Sequence, residues 1–261
     1  MHLVAVVSSD ADLGHALRGF QDDAGRFLLH LVPAGRPQAW LPALRALDFA
    51  GALVLCAYDQ TEALALADRA SLEASEVGAA DTLTVTQAGV VADYHFGRAV
   101  GQALRSRVWD PRGAAGVIIG GGREAHSVAR ELASLGARHL TLLAASRPEA
   151  EQMTPRLAAS TDVVATVPED PIAQSLLERA DLIVRADISM SVPSSCIGPH
   201  LTLVDLVPGA VSRLRALALA AGALTLERRD VEAHRLHLAL GHVLGAGVSV
   251  EPLLQAMLRE P

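Results

Sequence analysis

Apolar runs of strand length alternate with stretches of helical periodicity along almost the whole chain, and this alternation limits the possible folds more than any other feature. In the second half, the runs predicted as strands are residues 115–119, 139–144, 162–167, 181–184, 201–206 and 223–226. Strands separated by helices are typical of parallel sheets that helices cover on both faces. The sequence therefore predicts an α/β protein with a parallel sheet in its second half.

The first half shows a related but less regular pattern. The predicted strands are residues 3–7, 27–32, 51–57, 82–86 and 90–94, and the predicted helices are residues 12–20, 39–47, 60–77 and 95–107. Gln87-Ala88-Gly89 predicts a hairpin between the last two of these strands. Two further helices, at residues 230–244 and 251–259, close the chain without a following strand.

The charged residues exclude several classes of chemistry. All 22 basic residues are arginine, and the chain contains neither lysine nor asparagine. Schiff-base catalysis and a Walker-type phosphate lysine are therefore excluded. The formal charge of −7, with no basic run, argues against nucleic-acid and anionic-membrane partners. Two cysteines without metal-type spacing, and an N-terminal apolar run too short for a signal peptide, predict a reduced cytoplasmic chain.

A glycine-rich corner is the motif with the clearest chemical meaning. The predicted strand 115–119 leads into Gly120-Gly121-Gly122 and then into a helical stretch that contains Ala125. In a G-x-G-x-x-A corner, Gly120 permits a tight turn and Gly122 lets the backbone approach a diphosphate, while Ala125 keeps helix and strand close. Free N–H groups and the helix dipole favour phosphate there. The corner predicts a dinucleotide site, and a glycine turn without a ligand is the alternative.

Two charged residues inside the corner bear on that prediction. Arg123 either contacts the diphosphate or is merely solvated. Glu124 suits the first turn of a helix, but it would oppose a bound diphosphate unless it points away.

The residues after the second strand of this half bear on the type of cofactor. An NAD site usually places an acidic residue there to hold the ribose 2′-hydroxyl, but this chain reads Ala145-Ser146-Arg147. Ser146 and Arg147 suit a 2′-phosphate, which favours NADP over NAD. The alternative is structural, because Ser146 and Glu149 have the spacing of a capping box. The possibility of no cofactor stays open.

The order of the elements, together with several short segments, resembles the shikimate dehydrogenase family. The segments are Ala63-Leu64-Ala65-Leu66-Ala67-Asp68, Val77-Gly78-Ala79-Ala80-Asp81-Thr82-Leu83, residues 90–97, the corner at residues 120–125, and Gly247-Val248-Ser249-Val250-Glu251-Pro252. The resemblance covers nearly all of the chain. It implies an N-terminal α/β domain of catalytic type, a Rossmann-like NAD(P)-binding domain, and C-terminal helices that return to the first domain. We place the first domain at residues 1–107 plus 230–261 and the second at residues 108–229.

The resemblance also implies site residues, and this chain departs from the family at them. Family members reduce a 3-keto group with NADPH, using a Lys and an Asp that correspond here to Gln60 and Phe96. Neither an amide nor a phenyl ring carries a proton at neutral pH. The substrate pocket is expected to contain Asp12, Asp81 and His237 as well. Since a carboxylate at Asp12 repels the shikimate carboxylate, shikimate should bind poorly.

Histidines are the remaining candidates for acid–base or metal chemistry. His95 adjoins the lost Asp position and is our candidate replacement base, although it could equally point away. Asp230, His234 and His237 share one face of the last long helix. Because no recognised metal motif accompanies them, we predict no metal site.

The expected function is that of a divergent shikimate dehydrogenase-like oxidoreductase. It would bind NADP(H) and act on a small hydroxy or keto compound other than shikimate, held in an interdomain cleft. The alternative is a catalytically inactive relative that serves as a ligand sensor or a protein-interaction module. Losing both proton-transfer residues fits either reading.

Overall fold

The computed structural model describes residues 1–9, 17, 20, 25–154, 161–187, 189–207 and 212–258. The chain forms two compact units, one containing Met1–His95 with Glu232–Pro261 and the other containing Phe96–Val231. Each unit has its own six-stranded sheet. The predicted α/β class is confirmed, and the C-terminal helices belong to the first unit as expected. Residues 96–107, which the sequence-based boundary assigned to the first domain, belong to the second unit.

The strands and helices are numbered here in chain order. The strands are β1 (His2–Ser8), β2 (Phe27–Pro33), β3 (Phe49–Val54), β4 (Arg69–Ala70), β5 (Thr82–Thr86), β6 (Gly89–Asp93), β7 (Ala115–Ile119), β8 (His139–Leu143), β9 (Asp162–Thr166), β10 (Leu182–Arg185), β11 (Thr202–Asp205) and β12 (Leu224–Glu227). The helices are α1 (Pro37–Ala46), α2 (Ala57–Leu66), α3 (Leu72–Val77), α4 (Phe96–Ser106), α5 (Gly122–Ser134), α6 (Arg147–Met153), α7 (Pro171–Glu178), α8 (Arg213–Ala220), α9 (Arg228–Leu244) and α10 (Val250–Leu258). Among the described helices, none has the length and hydropathy that crossing a bilayer would require.

The sheet of the first unit is mixed, with strand order β2-β1-β3-β5-β6-β4. The predicted hairpin is formed by β5 and β6, which pair antiparallel, and β5 also runs antiparallel to β3. Trp40 and Leu44 of α1 cover one face of the sheet. Leu236 and Leu240 of α9 pack with Leu53 on the other. β1 and β3 are parallel, and β5 runs antiparallel to both β3 and β6. The carboxyl ends of β1, β3 and β6 therefore lie at one edge of the sheet, together with the start of β5.

The single helix predicted over residues 60–77 is wrong. The chain instead forms α2, the two-residue strand β4 and then α3. Asp68 explains the break, because its backbone N–H donates to the Val90 carbonyl and its side chain accepts from the Val90 N–H. Ser71 then caps α3 by accepting from the Ala74 N–H at 3.1 Å. The helix predicted at residues 12–20 lies outside the described residues except for Leu17 and Phe20.

The sheet of the second unit is parallel throughout, as predicted, with strand order β12-β11-β10-β7-β8-β9. Counted within this unit, the order is 6-5-4-1-2-3, which is that of dinucleotide-binding folds. The chain crosses from β9 back to β10, on the other side of β7, so the order reverses at β7. In open α/β sheets, ligands bind at the carboxyl ends of the strands beside such a reversal.

Candidate functional site

The glycine-rich corner follows β7 at the reversal of strand order. Gly120 and Gly122 have φ angles of 120° and 77°, in the region that favours glycine. A Cβ atom on Gly120 would also lie 3.1 Å from Cβ of Asp187. The Gly120 N–H donates to the carbonyl of Leu143 at the end of β8, and Ala125 is fully buried. The backbone of this corner thus depends on glycine.

Glu124 does not oppose an anion at the corner. Its carboxylate is paired with Arg228, whose Nη2 lies 2.7 Å from Oε1 and whose Nη1 lies 3.1 Å from Oε2. Nη1 of Arg228 also donates to the carbonyl of Leu206. Arg228, which the sequence analysis did not consider, thus compensates the charge of Glu124.

A second carboxylate lies directly against the corner. Gly121 is the N-cap of α5, and a Cβ atom on it would overlap the carboxylate of Glu149. The N-terminus of a helix favours a negative charge, and Glu149 supplies one there. The backbone of the corner fits a diphosphate, provided that the half-buried, flexible Glu149 side chain turns away.

The loop after β8 carries the residues predicted to select the cofactor. Ser146 is the N-cap of α6, but its side chain makes no capping hydrogen bond, so the capping box with Glu149 is not formed. Nη2 of Arg147 lies 3.1 Å from Oδ2 of Asp170, and its side chain is about half exposed. Arg123 is partly buried in the first turn of α5.

In the first unit, buried polar side chains collect where β3 ends and β5 begins. Gln60 is buried, and its Nε2 donates to the carbonyl of Val54 at 2.9 Å. Oδ2 of Asp59 accepts from the N–H of Gly35 at 2.7 Å. The side-chain amide of Gln60 therefore anchors the end of β3.

Asp81 and His95 form a buried pair at the same edge. Oδ2 of Asp81 accepts from the backbone N–H of His95 at 2.9 Å, and Oδ1 lies 3.3 Å from the Nδ1 atom of His95. Burial raises the pKa of Asp81, but the hydrogen bond and charge of His95, with the charge of Arg235, outweigh burial and lower it overall. Asp81 is accordingly ionised at neutral pH.

The same contacts assign the tautomer of His95. The hydroxyl of Thr82 donates to Oδ1 of Asp81 at 2.9 Å, and its oxygen lies 3.1 Å from Nδ1 of His95. Both neighbours of Nδ1 are acceptors, so Nδ1 carries the proton of the neutral ring. The lone pair of the neutral ring is then on Nε2.

Nε2 of His95 faces a second carboxylate. Oδ2 of Asp93 lies 3.5 Å from this Nε2 atom and 3.5 Å from Nδ1 of His242 on α9. Oδ1 of Asp93 accepts from Ser71 Oγ at 2.6 Å and from the Tyr94 N–H at 2.8 Å. One cluster of titratable side chains is therefore formed by Asp81, Asp93, His95 and His242.

The other predicted pocket residues lie elsewhere. Phe96 is fully buried in the second unit, with the Arg228 guanidinium 5.5 Å from its ring centroid. The Nδ1–H of His237 donates to the carbonyl of Val248, in the loop before α10. Asp12 lies outside the described residues.

The sequence analysis did not connect Asp93 with His242. They are far apart along the chain, and no local pattern links the end of a strand to the last turn of a helix. The strand pairing of Thr82 with Asp93 could have placed the two aspartates side by side. His242 joins them through tertiary packing.

Comparison with known proteins supports the resemblance seen in the sequence. No family model matches the chain. A shikimate dehydrogenase (NADP(+)) from Dinoroseobacter shibae is 36% identical over 114 residues, which cover 42% of this chain and 41% of that protein. The sequence match therefore spans less than half of the relative's length.

Solved structures match the chain over nearly its full length. Shikimate 5-dehydrogenase from Listeria monocytogenes, solved with shikimate and NAD, has a TM-score of 0.84 at 15% identity, covering 99% of this chain and 96% of that one. Ligand-free 5-ketofructose reductase of Gluconobacter sp. strain CHM43 has a TM-score of 0.82 at 17% identity, covering 98% and 97%. The sequence match to a shikimate dehydrogenase agrees with these structural matches. The chain thus has the two-domain fold of the shikimate dehydrogenases, which the resemblance in its sequence predicted.

Proposed function

We propose that this chain is an NAD(P)-dependent oxidoreductase that acts on a small hydroxy or keto compound other than shikimate, with NADP preferred over NAD. The observation that carries the proposal is the glycine-rich corner at the reversal of a 6-5-4-1-2-3 parallel sheet. The structural relatives include proteins named for shikimate and for 5-ketofructose. One fold thus serves more than one hydroxy or keto substrate.

The cofactor would be held chiefly by backbone groups. The N–H groups at Gly121 and Gly122 open α5 and suit a diphosphate, with Arg123 beside them. Ser146 and Arg147 are proposed to bind the ribose 2′-phosphate of NADP. When bound, the nicotinamide supplies the hydride acceptor or donor. The relatives support either cofactor, since one is named for NADP(+) and another was solved with NAD.

The first unit supports a substrate different from shikimate. Gln60 is held by the carbonyl of Val54 and carries no titratable proton. Asp81 and Asp93 put two buried carboxylates at the edge where the family's substrate residues are expected. Because like charges repel in a buried site, the substrate should be neutral where it meets them.

Proton transfer is proposed for His95. In alcohol oxidation its neutral Nε2 accepts the substrate hydroxyl proton, and in carbonyl reduction the imidazolium returns that proton. Asp81 holds Nδ1–H and stabilises the charged ring. Asp93 and the 39% exposed side chain of His242 connect Nε2 to solvent.

Cofactor preference is testable with Arg147→Ala. We expect this variant to bind NADPH about tenfold more weakly and NADH unchanged, because the proposed contact of the guanidinium is with the 2′-phosphate, which NADH lacks. Fluorescence titration with both nucleotides measures the two affinities. Arg138→Ala is the matched control, since Arg138 is exposed just before β8 instead of after it. Folded wild-type protein with no saturable binding of either nucleotide would overturn the proposal and favour the ligand-sensor reading.

Glu149 provides a second test of the same corner. We expect Glu149→Gln to bind NADPH about tenfold more tightly, because a carboxylate that competes for the N-terminus of α5 is removed. Glu151→Gln, which neutralises an exposed carboxylate on the same helix, should leave the affinity unchanged. An equal gain in NADPH affinity in both variants would show that the effect comes from the change in net charge and not from the position of Glu149.

A further inference from the structure

We propose that Asp93, His95 and His242 bind a divalent transition metal ion, with Zn²⁺ as the representative ion. Each offers one ligand atom, and these three atoms lie within 4.8 Å of one another. They come from the end of β6, the residue that precedes α4, and the last turn of α9. Two imidazoles and a carboxylate form a set that zinc and iron sites in proteins use.

The spacing of the ligand atoms suits a metal better than direct hydrogen bonds. Oδ2 of Asp93 lies 3.5 Å from each of the two histidine nitrogens. Bonds of about 2.1 Å in tetrahedral geometry separate neighbouring ligand atoms by roughly 3.4 Å. The two imidazole rings are edge to face, with centroids 5.5 Å apart, so their nitrogens can point at a common centre. Small rotations of the partly exposed His242 ring would complete the geometry.

Outer contacts already orient two of the three ligands. Asp81 and Thr82 hold Nδ1 of His95, which leaves the Nε2 lone pair aimed at the proposed metal. A carboxylate behind a metal-binding histidine is a recurring feature of metal sites, because it fixes the tautomer and increases ligand basicity. Ser71 and the Tyr94 N–H hold Oδ1 of Asp93, so Oδ2 is the coordinating atom.

Charge and access also favour a cation. Asp81 and Asp93 are 2% and 4% exposed, so two carboxylates lie near His95 in a region of low solvation. The charge of Arg235 already acts on Asp81, and a divalent ion at the three ligands would compensate the carboxylate of Asp93. The side chain of His242 is 39% exposed and supplies the entry path that metal loading needs.

The metal would deepen the proposed function, and this role rests on it. Three protein ligands leave a fourth position, as in catalytic zinc sites, where a substrate hydroxyl or carbonyl oxygen can bind. The ion would supply the positive charge that the missing lysine supplies in the family. With the ion on Nε2, His95 would be a ligand, and this role would replace the proton transfer proposed for it above. The ion would then stabilise the substrate oxygen, and the hydroxyl proton would be released to solvent.

The test uses the full chain, freed of metal by a chelator and dialysed. Calorimetric titration with Zn²⁺ should show one site per chain, and Co²⁺ should give visible absorption typical of a nitrogen- and oxygen-ligated four-coordinate ion. His242→Gln and Asp93→Asn should each weaken Zn²⁺ binding at least 100-fold. His139→Gln is the matched control and should bind as the wild type does, because His139 lies 3.3 Å from Asp162 and no third metal-ligating side chain joins them among the described residues.

Two outcomes would overturn the metal site. One is the absence of stoichiometric Zn²⁺ binding by folded wild-type protein, and the other is equal affinity in wild type and His242→Gln. NADPH titration on the same metal-free samples separates the two proposals. Binding of NADPH without binding of Zn²⁺ rejects the metal and keeps the oxidoreductase, whereas binding of Zn²⁺ alone rejects the oxidoreductase.

Discussion

Replacing Arg185 by methionine should lower the free energy of unfolding by about 3–5 kcal/mol, because it leaves a buried carboxylate without its partner. Arg185 and Asp205 end neighbouring parallel strands and are paired in register. Nε and Nη2 of the guanidinium each lie 3.0 Å from an oxygen of Asp205, and both side chains are at most 10% exposed. Urea unfolding followed by circular dichroism measures the loss.

Two further variants make the test specific. Arg112→Met removes an equally well-formed but exposed ion pair with Asp110, and it should cost less than about 1 kcal/mol. Combining Arg185→Met with Asp205→Leu should recover part of the lost stability, because no buried charge is then left unpaired, while the Val207 N–H and the Ser212 hydroxyl lose their acceptor. A loss in Arg185→Met no larger than that in Arg112→Met would show that Asp205 is solvated.

Replacing His95 by glutamine should lower kcat by about 100-fold or more, while the affinity for NADPH stays unchanged. Glutamine keeps hydrogen-bonding capacity towards Asp81 but cannot carry a proton at neutral pH. The measurement is turnover with the best substrate from a screen of polyols and hydroxy acids with NADP and NAD. An unchanged kcat would show that His95 takes no part in the reaction.

Controls for this variant separate acid–base chemistry from metal binding. His139→Gln should leave kcat at the wild-type value, since His139 lies at the start of β8 in the other unit. Treating the wild-type protein with a chelator distinguishes the two proposed roles of His95. If chelation alone reproduces the loss, His95 acts as a ligand; if it does not, His95 acts as the proton carrier.

The residues around the glycine-rich corner show how far local sequence reasoning reaches. A strand, three glycines and a helix follow directly along the chain, so backbone preferences alone predict the corner. The partner of Glu124 is Arg228, which is 104 residues away. Glu149, interpreted as one half of a capping box, lies instead against Gly121. Long-range contacts of this kind depend on strand order, which short-range patterns do not contain.

The residues near Asp68 show why a local pattern can fail. Helical periodicity over residues 60–77 predicts one helix, but the chain at Asp68 exchanges hydrogen bonds with Val90 on β6. Pairing with an adjacent strand satisfies the backbone hydrogen-bonding groups there as well as a helix would. Tertiary contacts therefore decide between strand and helix. Gln60 and His237 each contact a backbone carbonyl, that of Val54 and that of Val248, and no local pattern in the sequence indicates these partners.

By itself the sequence determined the α/β class, the strand and helix alternation, the glycine-rich corner, and the loss of lysine chemistry. These follow from periodicity, backbone preference and residue identity, all of which are local. The tertiary structure alone decided that Asp81, Asp93, His95 and His242 meet, because sheet register and the packing of α9 bring them together. Because packing places these groups side by side, the pKa of Asp81 is lower than its ordinary value.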